Sequence, residues 1–169
     1  MLAARAEVPE PADYWTGDPK GEVPSTLSGG RVLTLAALHE DLQAGAILID
    51  VSRIQHRPEG LPKETLWMPT PHIAIPGTHW WPGAGEGHLS PEQEGAFRLQ
   101  LESLTRADKS VTVIYYCHEH CWLSFNAAKR AIGYGYTHIE WYPDGIEGWT
   151  RANLPTVTVR AEAATINAS

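Results

Sequence analysis

The sequence predicts an α/β fold: a single domain on a mostly parallel central sheet, with helices on both faces. Three observations lead there. Segments with helical spacing of apolar residues alternate with short β-branched runs, the order that builds βαβ units. The runs from Ile47 to Val51 and from Val111 to Tyr116 are apolar almost throughout, as strands buried on both faces are. And 169 residues suffice for one sizeable core while leaving no room for a second large domain.

Residues 1–30 form an irregular lead-in, rich in Pro, Gly and Glu from residue 7 onward. Ala4-Arg5-Ala6 has the small-residue pattern of a signal-cleavage site with no apolar stretch before it, which fits a cleavage remnant or an ordinary N-terminus equally. The domain spans 31–155. Thr34 is placed to cap a helix carrying Leu35, Leu38 and Leu42 on one face and ending at Gly45. Ala46 to Val51 is a buried strand. Residues 52–71, with Pro58, Pro62, Pro69 and Pro71, form a long loop. His72 to Gly77 is a brief strand ended by Pro76-Gly77.

Ser90-Pro91-Glu92-Gln93 is a strong helix start, with Ser as N-cap, Pro in the first turn and Gln closing a capping box. Phe97, Leu101 and Leu104 share its inner face. Val111 to Tyr116 is the clearest strand, with Cys117 at its tip. Ala127, Ala128, Ala131 and Ile132 predict a helix ending near Gly133 or Gly135. His138 to Tyr142 is the last strand, broken by Pro143-Asp144-Gly145 before a short helix. The tail, 156–169, has no helical period and is expected to fray at Asn167-Ala168-Ser169.

Composition excludes several classes. Hydrophobic residues at 43% and charged residues at 20% are ordinary for a globular chain and argue against wholesale disorder. Thirteen Lys+Arg against twenty Asp+Glu, a net charge of -7, argue against nucleic acid or an anionic membrane surface as main partner. No apolar run approaches the roughly 18–20 residues of a transmembrane helix, so no membrane span is expected. The two cysteines cannot make a disulfide-dense mini-protein. Both fall in one stretch, Cys117-His118-Glu119-His120-Cys121.

In parallel sheets, sites form beyond the C-terminal ends of strands. Asp50 and Arg53, Thr78 to Trp81, Cys117 to Trp122, and Pro143 to Gly145 are therefore expected at one mouth. A thiol at a strand tip, just ahead of a helix N-terminus, faces free backbone N–H groups and the positive end of the helix dipole, and both lower its pKa. Cys117 fits that description, as a nucleophile or sulfur carrier; the competing account is a buried inert cysteine. The Cys-x-x-x-Cys spacing also permits a structural disulfide if the loop curls, worth roughly 2 kcal/mol by the chain-entropy relation. A third account is a soft-metal site for Cu(I) or Zn(II), with Cys117, Cys121 and His120 (or His118) as ligands.

The segments "ILIDVSR" (Ile47 to Arg53), "HIAIPGTHW" and "VTVIYYC…NAAKRAIGYGYTHIEWYPDGIEGW" resemble the strand-Asp, His-Ile-Pro-Gly and Cys-loop segments of rhodanese-like domains. More narrowly, the chain resembles the PQQ-dependent-catabolism-associated family with a Cys-x-x-x-Cys-Trp motif. The matching pieces include Arg57 to Pro62, Leu66-Trp67, Ile75-Pro76-Gly77, Cys117-x-x-x-Cys121-Trp122, Ser124, Asn126 to Arg130, Trp141 to Gly145, and Gly148-Trp149. The likeness runs from about residue 12 to 155. It implies a rhodanese-type sheet and a periplasmic protein working beside PQQ-dependent alcohol oxidation, with components of that dehydrogenase system as partners. It also implies a redox or cofactor-handling role, and favours reading Ala4-Arg5-Ala6 as a cleavage remnant.

One departure matters. Ordinary rhodaneses run Cys-x4-Arg-Ser, the Arg holding a sulfur oxyanion. With Ser124 and Ala127-Ala128 as anchors, Leu123 stands where that Arg would be, and the loop is one residue longer. Loss of a bidentate anion-holding Arg weakens the case for thiosulfate:cyanide sulfurtransferase activity, and phosphatase chemistry is not expected either. Arg53 or Arg57 is the candidate replacement from another loop.

Trp80, Trp81, Trp122, Tyr142 and Trp149 fall at the mouth, where they would exclude water or stack a flat conjugated ligand such as a PQQ-like quinone; for any single Trp a core or cover role is the stronger reading, and their concentration after strand ends is what supports the ligand. His79 and His88 are expected at the surface. His118 and His120 flank the thiol and are placed to tune it or to move protons; Glu119 should point away. Asp50 is expected to hold neighbouring loop amides. The resulting expectation is a periplasmic rhodanese-fold thiol protein, with Cys117 the reactive sulfur and Cys121 its resolving partner. The alternatives are a non-catalytic module holding a metal or flat redox cofactor over the Cys-Trp loop, and a partner domain with a structural disulfide.

Overall fold

The computed structural model describes residues 7–162; Ala4-Arg5-Ala6 and Asn167-Ala168-Ser169 lie outside the described residues. Strand β1 (Arg31–Val32) leads into helix α1 (Leu35–Gln43), whose first turn is capped by Thr34 accepting the Ala37 N–H. Gly45, at φ 91°, turns the chain into β2 (Ile47–Asp50). The long loop ends at β3 (His72–Ala74), and a tight turn through Gly77 (φ 85°) leads to β4 (His79–Trp80). Helix α2 (Pro91–Thr105) starts with the Ser90–Gln93 capping box. Then come β5 (Val113–Tyr116), α3 (Trp122–Gly133), β6 (Ile139–Tyr142), α4 (Gly145–Arg151) and β7 (Val157–Val159).

The central sheet has strand order β1-β6-β5-β2-β4 and every pairing in it is parallel. Alternation along the strands divides the core. Ile49, Tyr115 and Trp141 point to the side packed by Phe97 and Leu101 of α2 and by Phe125, Ala127, Ala128 and Ala131 of α3. Leu48, Ile114, Tyr116 and Tyr142 point to the side packed by Leu38 of α1 and by Ile146 and Trp149 of α4. Both faces of the sheet are thus covered, which is why its inner strands carry no polar face. No helix among the described residues is long and apolar enough to cross a membrane.

Two elements differ from the sequence reading. The strand at His72 does not join the central sheet; it pairs antiparallel with β7, His72 opposite Val159 and Ala74 opposite Val157. The tail is therefore structured through residue 162. Glu162 fastens it: the carboxylate accepts from Trp81 Nε1 at 2.6 Å and meets His79 Nδ1 at 2.5 Å, while its N–H donates to the Trp80 carbonyl. The edge place beside β2 goes instead to His79–Trp80, a pairing too short to register as a periodic pattern.

Candidate functional site: the thiol loop

The loop begins where β5 ends. The Cys117 carbonyl accepts the Ile146 N–H at 3.0 Å, tying the loop to the start of α4. That contact requires Gly145: its φ is +61°, and a Cβ there would stand 2.4 Å from the His118 backbone. Pro143-Asp144-Gly145 is thus part of the site's frame. His120 adopts a left-handed conformation (φ +51°) and Cys121, extended, is the N-cap of α3.

The two sulfurs sit in different surroundings. Cys117 is fully buried; its Sγ lies 3.1 Å from Ser124 Oγ, and that hydroxyl oxygen accepts the indole N–H of the buried Trp141 at 2.9 Å. Burial pushes the Cys117 thiol well above its ordinary range, and its hydrogen bond with Cys121 pushes the same way. Cys121, 6% exposed, is drawn down to about 7, foremost by the hydrogen bond from the Cys117 thiol. Burial opposes this, while the Leu123 and His118 amides and the nearby His118 charge assist it. As a neutral thiol Cys121 closes no cap bond on the helix; ionised, it draws on the Leu123 amide in the first turn.

The helix starts at Trp122, so the sulfur at its N-terminus is that of Cys121 rather than Cys117, and it is the Cys121 thiol that is drawn down. Cys117 is the fully buried sulfur, set against the Ser124 hydroxyl and the His118 carbonyl.

The metal set is not assembled. Among the described residues no group of three His, Cys, Asp or Glu side chains is placed to hold an ion. His120 is exposed, and His118 Nδ1 engages Glu147 at 2.6 Å. Glu147 also accepts the Glu119 N–H at 2.9 Å, and the Glu119 carboxylate turns to Arg151.

Of the two arginine candidates, Arg57 is spent on the carbonyls of Thr65, Leu61 and Pro62. Arg53 makes a two-point pair with Glu86 (2.6 and 2.8 Å), yet it is near enough to Cys121 for that sulfur's charge to help raise the guanidinium pKa, after the larger effect of Glu86. Leu123, at the position of the absent loop Arg, packs into the core.

The expected aromatic mouth does not form. Trp81 is buried against Phe97 under α2, and Tyr142 and Trp149 are core residues on the opposite side of the sheet. Trp80 stacks on His72 at 3.9 Å and donates its indole N–H to the Ser52 carbonyl. Asp50 accepts the Ser52 N–H at 2.8 Å and holds His72 at 2.7 Å. Only Trp122 borders the loop, and its ring is covered by Trp15 (centroids 4.5 Å apart, planes 11° from parallel). The platform for a flat ligand is therefore occupied by the protein itself.

Trp15 belongs to the lead-in, and the lead-in is what the sequence reading missed. Residues 19–21 run antiparallel to 120–122: Trp122 N–H donates to the Pro19 carbonyl and Gly21 N–H to the His120 carbonyl, both at 2.8 Å. Asn126 bonds both backbone groups of Trp15, and Lys129 Nζ gathers the carbonyls of Pro11, Ala12 and Asp13. The Arg130 guanidinium, fully buried, lies 4.1 Å from the Tyr14 ring centre and bonds Glu94 and the Ala84 and Glu86 carbonyls. A signal existed: Asn126, Lys129 and Arg130 interrupt an otherwise apolar helix. Beside the loop lies a cleft of ≈ 760 Å³ whose lining includes Trp15, Gly17, Pro19, Arg53, His56 and Trp122.

The chain matches no protein-family model, and no curated protein matches it. Among solved structures it is similar to a thiosulfate sulfurtransferase from Pseudomonas aeruginosa, with TM-score 0.51 and 18% identity over 80% of this chain. The match spans 21% of that protein, so this chain corresponds to about a fifth of its length. It is also similar to the polysulfide-sulfur transferase of Wolinella succinogenes (TM-score 0.46, 17% identity, 80% of this chain and 84% of that one). A human single-domain sulfurtransferase gives TM-score 0.45 and 20% identity over 71% of this chain and 95% of that one. The fold is that of the rhodanese-like sulfurtransferases.

Proposed function

We propose that this protein is a sulfur-carrying thiol protein in which Cys121 is the nucleophile and Cys117 the resolving sulfur. The observation that carries the reading is the placement of the two sulfurs: Cys121 is the N-cap of α3, at the helix's positive end, whereas Cys117 is fully buried against the Ser124 hydroxyl; the acidities divide the same way, Cys121 drawn down and Cys117 pushed up. A thiol with its pKa near ambient pH combines a useful thiolate fraction with retained nucleophilicity.

The Cys121 thiolate attacks the sulfane sulfur of a donor; the bond between that sulfur and the donor's leaving group breaks, and the leaving group departs with the electron pair. Cys121 then carries a persulfide. Passing the outer sulfur to an acceptor thiolate restores Cys121. Alternatively Cys117, once deprotonated, attacks Cys121 Sγ, forming the disulfide and expelling hydrosulfide. A dithiol reductant then returns two electrons and two protons. The absence of a loop Arg, with Arg53 already paired to Glu86, favours a polysulfide or persulfide donor over one that must bind as a sulfur oxyanion.

We place this reaction in the periplasm beside PQQ-dependent alcohol oxidation, on the resemblance of the Cys-x-x-x-Cys-Trp stretch and its flanking motifs. Fractionation of the native host tests the setting: recovery only with cytosolic markers contradicts it. The chemistry is tested by intact mass after exposure to inorganic polysulfide. Wild type should gain one sulfur atom that dithiothreitol removes, and Cys121→Ser should gain none. Equal gain by Cys121→Ser and wild type contradicts the assignment.

A further inference from the structure

The lead-in does more than cover the domain. Its base is closed by two carboxylates: Glu7 accepts from Ser25 Oγ at 2.8 Å, and Glu10 from Thr26 Oγ1 at 2.6 Å and the Ser28 N–H at 3.0 Å. Past that base the chain is anchored in the core by Leu27, and Val8 packs against the same cluster. Between the two sides of the base, residues 11–22 make one excursion. Its far side lies along the thiol loop, with Lys20 opposite Cys121. A segment whose ends are close and whose body makes its own surface contacts is an Ω-type loop, and such loops move as units.

The body of this excursion is held by few and separable contacts. They include the two main-chain bonds to His120 and Trp122, the Asn126 amide on Trp15, the Lys129 ammonium on three carbonyls, the Arg130 guanidinium over the Tyr14 ring, and stacking of Trp15 on Trp122. Trp15 itself remains 37% exposed. Lifting the excursion uncovers the Trp122 ring and the Arg130 guanidinium, both buried beneath it, but leaves the layers of sheet and helices packed. All the side-chain tethers come from the first three turns of α3, the helix whose N-cap is Cys121.

We infer that residues 11–22 form a flap that determines which sulfur donors and acceptors reach Cys121. Closed, it leaves a cleft of ≈ 760 Å³ whose lining includes Trp15, Arg53 and Trp122, the residue next to Cys121, as the approach for small sulfur species. Lifted, it uncovers the backbone of residues 120–122 and the sulfur beside it, and admits a thiol carried on a protein. The inference rests on the proposed role of Cys121 as the reacting thiol. It gives the Asn126-x-x-Lys129-Arg130 pattern a purpose: these residues are the latch.

The test compares a small and a bulky thiol reagent, iodoacetamide and a maleimide on a protein-sized polyethylene glycol, with peptide mapping of the labelled cysteine. Wild type should label at Cys121 with iodoacetamide and far more slowly with the bulky reagent. Trp15→Ala and Lys129→Ala, both at partly exposed positions, and Asn126→Ala should each raise the bulky-to-small rate ratio roughly tenfold, the effect of losing one or two hydrogen bonds or a stack on a local opening equilibrium. Circular dichroism should show the first two variants folded. A ratio unchanged in all three variants overturns the flap while leaving the thiol pair intact. Labelling confined to Cys117 in every protein overturns the thiol assignment, and the flap with it.

Discussion

Cys117 and Cys121 are four residues apart, yet their thiols are pushed in opposite directions, Cys117 up and Cys121 down. The difference comes from where each sulfur meets the backbone. Cys117 leaves the strand into a pocket roofed by Ser124 and Trp141, whereas Cys121 sits at the first turn of α3. Removing the donor should therefore weaken the acid: in Cys117→Ala the pH midpoint of Cys121 alkylation rises above the wild-type value, read from iodoacetamide rates against pH. An unchanged midpoint would mean that the helix amides alone set it. Ser124→Ala should cost about 1–3 kcal/mol in urea unfolding, because it strands the buried indole N–H of Trp141. At this scale the sequence made the cysteine loop visible but not the different surroundings of its two sulfurs. Cys117 at a strand tip is a visible pattern. Which sulfur caps the helix depends on how His120 turns, and a left-handed histidine leaves no mark in an apolar periodicity.

Among the elements, α3 carries two duties. Its alanines fill the core, while Asn126, Lys129 and Arg130 hold the flap. Arg130→Ala should lower unfolding free energy by about 2–4 kcal/mol, since it orphans the carbonyls of Ala84 and Glu86 and breaks the pair with Glu94; urea denaturation reads this directly. A second prediction concerns the β1–β6 edge. Burial, with the Asp41 carboxyl beside it, pushes Glu140 up to about 7 against the pull of Arg31. The folded state thus holds that proton more tightly than the unfolded chain, whose Glu titrates near 4.5. Unfolding free energy attributable to this group falls as pH rises from about 4.5 to about 7 and is level above. Glu140→Gln should flatten that stretch of the urea midpoint against pH. The helices were legible because their caps and spacing are local. The two-stranded β3–β7 ribbon was not, since its partners lie far apart in sequence and β7 is three residues long.

For the whole molecule, the rhodanese-like sheet brings the strand ends to one side, but the cover over the thiol loop comes from outside the sheet. The lead-in covers the loop, the tail is fastened by Glu162, and the aromatics expected at the mouth are absorbed into the core on both faces. Parallel topology was readable from the alternation of helices and apolar strands. The cover was not, because its tethers are single polar side chains reaching backbone groups more than a hundred residues away. In the proposed chemistry Cys121 reacts and Cys117 supports it. The most direct measurement is residue-resolved alkylation of the reduced wild-type protein across pH, read by peptide mass spectrometry. Cys121 should be labelled first, with a midpoint near 7, while Cys117 stays protected until the protein unfolds. Preferential labelling of Cys117 at neutral pH would contradict it.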